Sequence, residues 1–206
     1  MRNAVTLYYL GHSCFRLEYG GRSAVIDPYA DGSVPGCGKI REAADAVFCS
    51  HDHRDHSFAD GVILSGDPMP EDMRVYELSC PHDDRGGELR GMNTVRVFDC
   101  GGIRVAHLGD IGCFPSPEVL ALIHGVDALL IPVGGYYTID AETAYAVCET
   151  AAPRCIIPMH YRAGKRGYDV LDTLQPFASH FPEAQKAYRE LKITDCSPAG
   201  LIVMEP

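Results

Sequence analysis

The sequence has no Cys-x-x-Cys pair, no low-complexity stretch and no internal repeat. No apolar run comes near the roughly 18 residues needed to span a bilayer. The nine cysteines stand at 14, 37, 49, 80, 100, 113, 148, 155 and 196. Without paired spacing they give no zinc ribbon or thioredoxin motif, and an odd count in a chain of 206 residues argues against a disulfide framework. Cys49, Cys100, Cys148 and Cys155 lie in apolar runs, where cysteine serves as a small core residue. Basic side chains are also scarce: 18 Lys and Arg against 28 Asp and Glu leave a net charge of −10. That balance opposes broad binding to nucleic acid or to an anionic membrane, while leaving room for a small anionic substrate at a locally positive site. The opening stretch MRNAVTLYYLGHSCFRLE alternates apolar and polar residues and forms no signal-peptide core. A soluble, cytoplasmic protein is expected.

What is present suffices for a sizeable core, with 46% hydrophobic and 22% charged residues. The length fits a single domain over residues 1–206. Short β-rich runs at 4–10, 14–19 and 22–27 read as strands, with Gly20-Gly21 as a hairpin turn. Residues 30–42, rich in Gly and Pro, read as loop, and 46–49 as a short buried strand. Further strands are expected at 74–78, 94–98 and 103–107, the last two joined at Cys100-Gly101-Gly102.

Helix and strand then alternate. Ser116-Pro117-Glu118 supplies an N-cap, a first-turn proline and a first-turn acid for a helix over 118–124, which Gly125 ends. A buried strand at 128–133 precedes a helix at 141–151, capped by Asp140 and stopped by Pro153. Residues 155–158 read as a strand, 169–192 as helix interrupted by Pro176 and Pro182, and 201–204 as a closing strand. The alternation implies an α/β fold with a layered core.

The chemistry concentrates in Ser50-His51-Asp52-His53-Arg54-Asp55-His56-Ser57, a His-x-His-x-Asp-His run at the end of a buried strand. On an extended backbone residues i and i+2 point the same way, so His51 and His53 can chelate one ion. A turn after them swings Asp55 and His56 toward a second position. Neutral imidazole and carboxylate suit zinc, manganese or iron. The remaining ligands must come from elsewhere. His82, Asp110 and His160 each follow an apolar run that fixes the backbone beneath them.

That succession, together with Gly11-His12-Ser13, Ile26-Asp27-Pro28, His107-Leu108-Gly109-Asp110, Pro132-Val133-Gly134-Gly135 with Thr138, and Pro158-Met159-His160-Tyr161, resembles the metallo-β-lactamase superfamily. Within it, the chain is similar to the L-ascorbate-6-phosphate lactonase-like branch of metal-dependent hydrolases. The matches run from about residue 7 to 161, roughly three quarters of the chain. The resemblance implies a four-layer αββα sandwich with two divalent ions, zinc first and manganese or iron as alternatives, at one edge of the two sheets. It implies one ion on His51, His53 and His82, the other on Asp55, His56 and His160, and Asp110 between them. It also implies a hydroxide bridging the ions as nucleophile, oriented by Asp55 as the catalytic residue.

Asp27 is placed to accept a hydrogen bond from a ligand imidazole. His12 is a candidate neighbour of the ligands, whereas His107 reads as structural and His124 and His180 as surface residues. Arg162, Lys165 and Arg166, in a Gly-containing loop after His160, offer positive charge for an anionic substrate. Tyr136 and Tyr137 follow Gly134-Gly135 and can reach the mouth of the site, while Ser50 and Ser57 read as loop residues. The expected activity is hydrolysis of a small, anionic lactone or ester. The rivals are a phosphodiesterase on the same metal pair, a mononuclear iron dioxygenase and a metal-stabilised binding protein. The partner is a small molecule, with no nucleic acid and no membrane, and a homo-oligomer is left open.

Overall fold

A computed structural model describes residues 4–206. The first half is strand-rich: β1 (Val5–Gly11), β2 (Cys14–Tyr19), β3 (Arg22–Ile26), β4 (Glu42–Ala44), β5 (Ala46–Phe48), β6 (Val62–Leu64), β7 (Met73–Pro81), β8 (Met92–Cys100) and β9 (Ile103–His107). The second half alternates: α1 (Pro117–Ile123), β10 (Ala128–Pro132), α2 (Ala141–Ala151), β11 (Cys155–Met159), α3 (Gln175–Ala178), β12 (Ala184–Tyr188), β13 (Glu190–Ile193) and β14 (Gly200–Glu205). Ser116 caps α1 by accepting from Val119 N–H, and Asp140 caps α2 by accepting from Thr143 N–H. Both caps satisfy a backbone donor that the helix cannot.

The strands form a five-stranded sheet, β13-β1-β2-β3-β5, and a seven-stranded sheet, β12-β14-β11-β10-β9-β8-β7. A parallel pair, β4-β6, stands apart. Period-two burial explains the layering. Val5, Leu7 and Tyr9 of β1 are buried, while Thr6, Tyr8 and Leu10 are only partly covered. The buried set meets Phe98, Val105, Leu130, Ile157 and Met204 of the larger sheet in one apolar layer. Each large side chain removed from water there contributes about 1.5–3 kcal/mol.

On its other face the larger sheet packs against Val119 and Ile123 of α1, Ala144 and Val147 of α2, and Phe177 of α3. The outer face of the smaller sheet is covered by Tyr29, Val34 and Ile40 from the long loop and by Ala44 and Val62 of the short pair. The result is the expected α/β sandwich of two facing sheets. Of the two helical layers in the αββα expectation, only the one on the larger sheet is built from helices; over the smaller sheet the long loop and the short strand pair take that place. No helix among the described residues is long and apolar enough to cross a membrane.

Residues 169–192 depart from expectation. Only α3 is helical there, and β12 and β13 follow it. Ala-Gln-Lys-Ala-Tyr favours helix locally, but β12 pairs in parallel with β14 and β13 pairs antiparallel with β1, so sheet pairing with distant strands overrides propensity.

The topology sets one edge apart. β1, β3 and β5 run the same way in the smaller sheet, as do β7, β9, β10 and β11 in the larger. Their C-terminal ends deliver His12, Asp27, the 50–56 loop, His82, Asp110 and His160 to a common rim. A backbone bond from His160 N–H to His12 O, 3.1 Å long, ties the two sheets together at that rim.

Candidate metal centre

Three groups of donor atoms lie within ion-sharing distance: His51, His53 and His82; His12, Asp55, His56 and His160; and His51, His56 and Asp110. The third group overlaps both others, so the side chains form one continuous cluster. Asp110 Oδ2 lies 3.2 Å from His56 Nε2, 3.1 Å from His160 Nε2 and 3.6 Å from His82 Nε2. All seven residues singled out as ligands from the sequence are therefore brought together, His82 included.

The backbone is bent to do this. His12, Asp27 and His160 all adopt positive φ, at 57°, 48° and 53°. Such conformations disfavour side-chain-bearing residues, and their concentration at one rim marks a place where geometry outweighs local comfort. Gly109, at φ 55°, precedes Asp110, and a Cβ there would fall 2.1 Å from Asn93 Oδ1. Asn93 is fully buried. It accepts the Asp110 N–H at 2.9 Å and donates to Leu108 O at 2.8 Å, which fixes the Asp110 backbone.

Hydrogen bonds select the ring tautomers. The Ser50 hydroxyl donates to Asp27 Oδ2 at 2.6 Å, so its oxygen is left to accept from His51 Nδ1 at 2.9 Å. His56 Nδ1 lies 2.8 Å from the same Asp27 oxygen. Both rings consequently hold a proton on Nδ1 and turn Nε2 toward the cluster. Burial lowers His56, but Asp110 and Asp27 outweigh it and raise the ring well above the imidazole range, so a cation binding there displaces its Nε2 proton. His51 Nε2, His56 Nε2, both nitrogens of His160 and Asp110 Oδ1 are buried without a hydrogen-bond partner. Native interiors rarely leave so many polar atoms unpaired, and a cation is the natural occupant of an inward-facing set of lone pairs. The donor set thus fits divalent metal.

The electrostatics agree. Burial, then the charge of His56, pushes His51 down to about 3. Burial and then His160 push His12 down to about 4. Burial raises the carboxyl groups of Asp55 and Asp110, but hydrogen bonding from His12 and the charge of His56 hold Asp55 below the carboxylate range. His160 and His56 do the same for Asp110. His51 and His12 are thereby bare bases and the two aspartates anions, which is the ionisation a metal requires.

The remaining candidates sort by placement. Asp27 reaches His56 as described, and its other oxygen accepts the Ser50 N–H at 2.6 Å. His12 Nε2 lies 3.4 Å from Asp55 Oδ2, and its ring centroid is 4.1 Å from that of His160. His107 is structural: Nε2 donates to Ser13 O at 2.9 Å and Nδ1 accepts from Gly109 N–H at 3.1 Å. His180 stacks on Tyr145, and His124 ends α1.

A cavity of about 240 Å³ opens onto the cluster, bounded by His53, His82, Arg90, Tyr137 and Tyr168. Three expectations for substrate contact fall outside it. Tyr136 is turned away by its positive φ of 57° and lines an adjoining groove instead, leaving Tyr137 to face the metal cavity. Arg162 lines a separate cavity of about 540 Å³ and donates from Nε to Leu171 O, while Lys165 is exposed in a turn. The cation that does line the cavity is Arg90, which belongs to no motif or periodic pattern. Ser50 is likewise more than a loop residue, since it orients His51. Tyr168 donates to Asp55 Oδ2 at 3.2 Å.

Two facing sheets with imidazoles and carboxylates gathered at one rim define a metal-dependent hydrolase of the metallo-β-lactamase fold. Residues 6–160 match the β-lactamase superfamily domain. A UPF0173 metal-dependent hydrolase of Pelotomaculum thermopropionicum is 30% identical over 190 residues, covering 74% of this chain and 82% of the relative. A UPF0173 protein of Pyrococcus furiosus is 31% identical over 183 residues, covering 75% and 82%. The solved structure of a proposed Zn-dependent hydrolase of the metallo-β-lactamase superfamily from Thermotoga maritima superimposes with a TM-score of 0.78 at 28% identity, covering 97% of this chain and 98% of that one. This chain belongs to the β-lactamase superfamily and, within it, to the UPF0173 metal-dependent hydrolases.

Proposed function

We propose that the chain is a dinuclear zinc hydrolase that opens a small anionic lactone or ester, as the lactonase-like branch does, and works as a single domain in the cytoplasm. The carrying observation is the continuous donor cluster, with buried lone pairs aimed inward on both sides of Asp110. On this reading His51, His53 and His82 hold one ion, Asp55, His56 and His160 hold the other, and Asp110 joins them. Manganese or iron suits the same donors, but the zinc-dependent designation of the Thermotoga maritima protein favours zinc. An odd number of cysteines with no Cys-x-x-Cys pair accords with a reducing compartment.

Divalent ions, when bound, supply Lewis acidity to the scissile carbonyl and bring the ionisation of water toward neutral pH. The side chains supply the rest. Asp55 is held as an anion and aimed by Tyr168 and His12, so it can accept a proton from attacking water and pass one to the leaving alkoxide. Asp27 and Ser50 keep the ligand rings in register. Tyr137 and Tyr168 wall the cavity and limit access of bulk water.

Elemental analysis of the purified protein, paired with a screen of lactones, carboxylic esters and phosphodiesters on the same sample, tests this reading. Two zinc ions per chain with lactone or ester turnover is the expected result. Full metal occupancy with no turnover across the panel leaves a binding protein, and preference for phosphodiesters replaces the substrate class.

A further inference from the structure

The metal cavity continues into a groove of about 640 Å³. Arg90 and Tyr137 belong to the walls of both. The Arg90 guanidinium lies 5.5 Å from the centre of the Tyr137 ring, a cation–π contact that holds it over the junction. It has no carboxylate partner among the described residues.

Its backbone is fixed as well. Asp83 accepts four backbone N–H groups, from Arg85, Gly87, Leu89 and Arg90 itself, at 2.8, 2.9, 2.9 and 2.8 Å. Those bonds occupy both oxygens of Asp83. Another acid of the same groove, Asp140, is engaged by Thr143 N–H at 2.9 Å. Asp84 also lines the groove, next to Arg85. Exposed apolar surface from Phe114 and Tyr136 completes the walls.

We infer that this groove is a substrate subsite in which Arg90 binds an oxyanion, carboxylate or phosphate, carried on a short apolar arm from the bond that is cleaved. The inference rests on the hydrolase reading above and narrows it to acids whose scissile acyl group and anionic end are separate groups of one molecule. A guanidinium presents paired N–H donors to such an oxyanion. Held at the junction of the two cavities, it fixes the substrate's direction: anionic end toward the groove, acyl carbon toward the metal cluster.

Two measurements on the metal-loaded protein test this. In the first, the Arg90 Nε–H resonance, identified by its loss in Arg90→Gln, is followed during titration with glutaramate, with 4-phosphonobutanamide and with the neutral glutaramide. Saturable movement with either oxyanion and none with glutaramide is expected, and the tighter of the two tells carboxylate from phosphate. No movement with either, or equal binding of both by Arg90→Gln, overturns the subsite.

In the second, turnover of the mono-p-nitrophenyl ester of glutaric acid is compared with that of p-nitrophenyl butyrate. Arg90→Gln should lower kcat/KM for the acidic ester about ten- to a hundred-fold, chiefly through KM, as loss of a charged hydrogen bond does. It should leave the neutral ester within about two-fold, and Arg90→Lys should restore part of the loss. Equal effects of Arg90→Gln on both esters overturn the inference while the hydrolase reading stands. Oxyanion binding at Arg90 with neither of these esters nor any lactone or phosphodiester cleaved overturns the hydrolase reading and leaves the subsite in place.

Discussion

His56 and Asp27 are both fully buried and meet at 2.8 Å, ring Nδ1 to carboxylate Oδ2, beneath the metal rim. The aspartate is not itself one of the clustered donors. It sets which His56 nitrogen faces inward, and through Ser50 it sets the same for His51. Asp27→Ala should therefore lower metal affinity about 10- to 100-fold with every ligand still in the chain. Chelator competition on the two proteins reads the difference directly, and an unchanged affinity removes Asp27 from the site.

Asp55 and His53 should matter in a different way. Asp55→Ala or His53→Ala is expected to abolish measurable turnover and to lower metal content, whereas His124→Ala, at the far end of α1, changes neither. Paired elemental analysis and kinetics on the three variants check this. Normal turnover in a metal-depleted Asp55→Ala protein removes Asp55 from the mechanism.

Asn93 carries a structural load close to the metal. Replacing it with Ala leaves the Asp110 N–H and the Leu108 carbonyl buried without partners, which should cost about 2–4 kcal/mol in urea unfolding. Metal affinity should fall as well, because Asp110 loses its anchor.

Asp83 gives a pH signature. Burial opposes its ionisation, but the backbone donors hold its carboxyl down to about 2. The folded value lies below the ordinary aspartate value near about 3.9, so the stabilisation is complete above that ordinary value. It is lost as pH falls through about 2. Amide exchange at Arg85, Gly87, Leu89 and Arg90, corrected for intrinsic rates, should quicken over that fall in pH. Asp83→Ala should show the quickened exchange already at neutral pH.

The donor cluster was legible in the sequence because its members stand just past the ends of short strands, and a strand end constrains where the residues after it point. The His-x-His-x-Asp-His run carries its own geometry, being local. Ser50 reads as a loop residue and Asn93 is not singled out because their partners, Asp27 and Asp110, are 23 and 17 residues away, and a polar residue announces nothing until its partner is known. Tyr136 and Tyr137 could not be told apart from spacing, since one positive φ decides which of the two faces the cavity. Arg90 was hidden for a similar reason, its direction being set by the carboxylate at Asp83 rather than by a periodic pattern. The helix expected over 169–192 failed because edge strands draw their order from neighbours that arrive from elsewhere in the chain.

The direction of the strands has a practical corollary. Because every donor sits where a strand finishes, the tight reversals at Gly20-Gly21 and Gly101-Gly102 turn at the opposite end of the sandwich, and a side chain added at Gly21 or Gly102 would meet nothing within 4 Å. Those two corners are natural insertion points for a tag, a reporter or a tether to a solid support, fixed to the molecule's back while its working face stays open to solution.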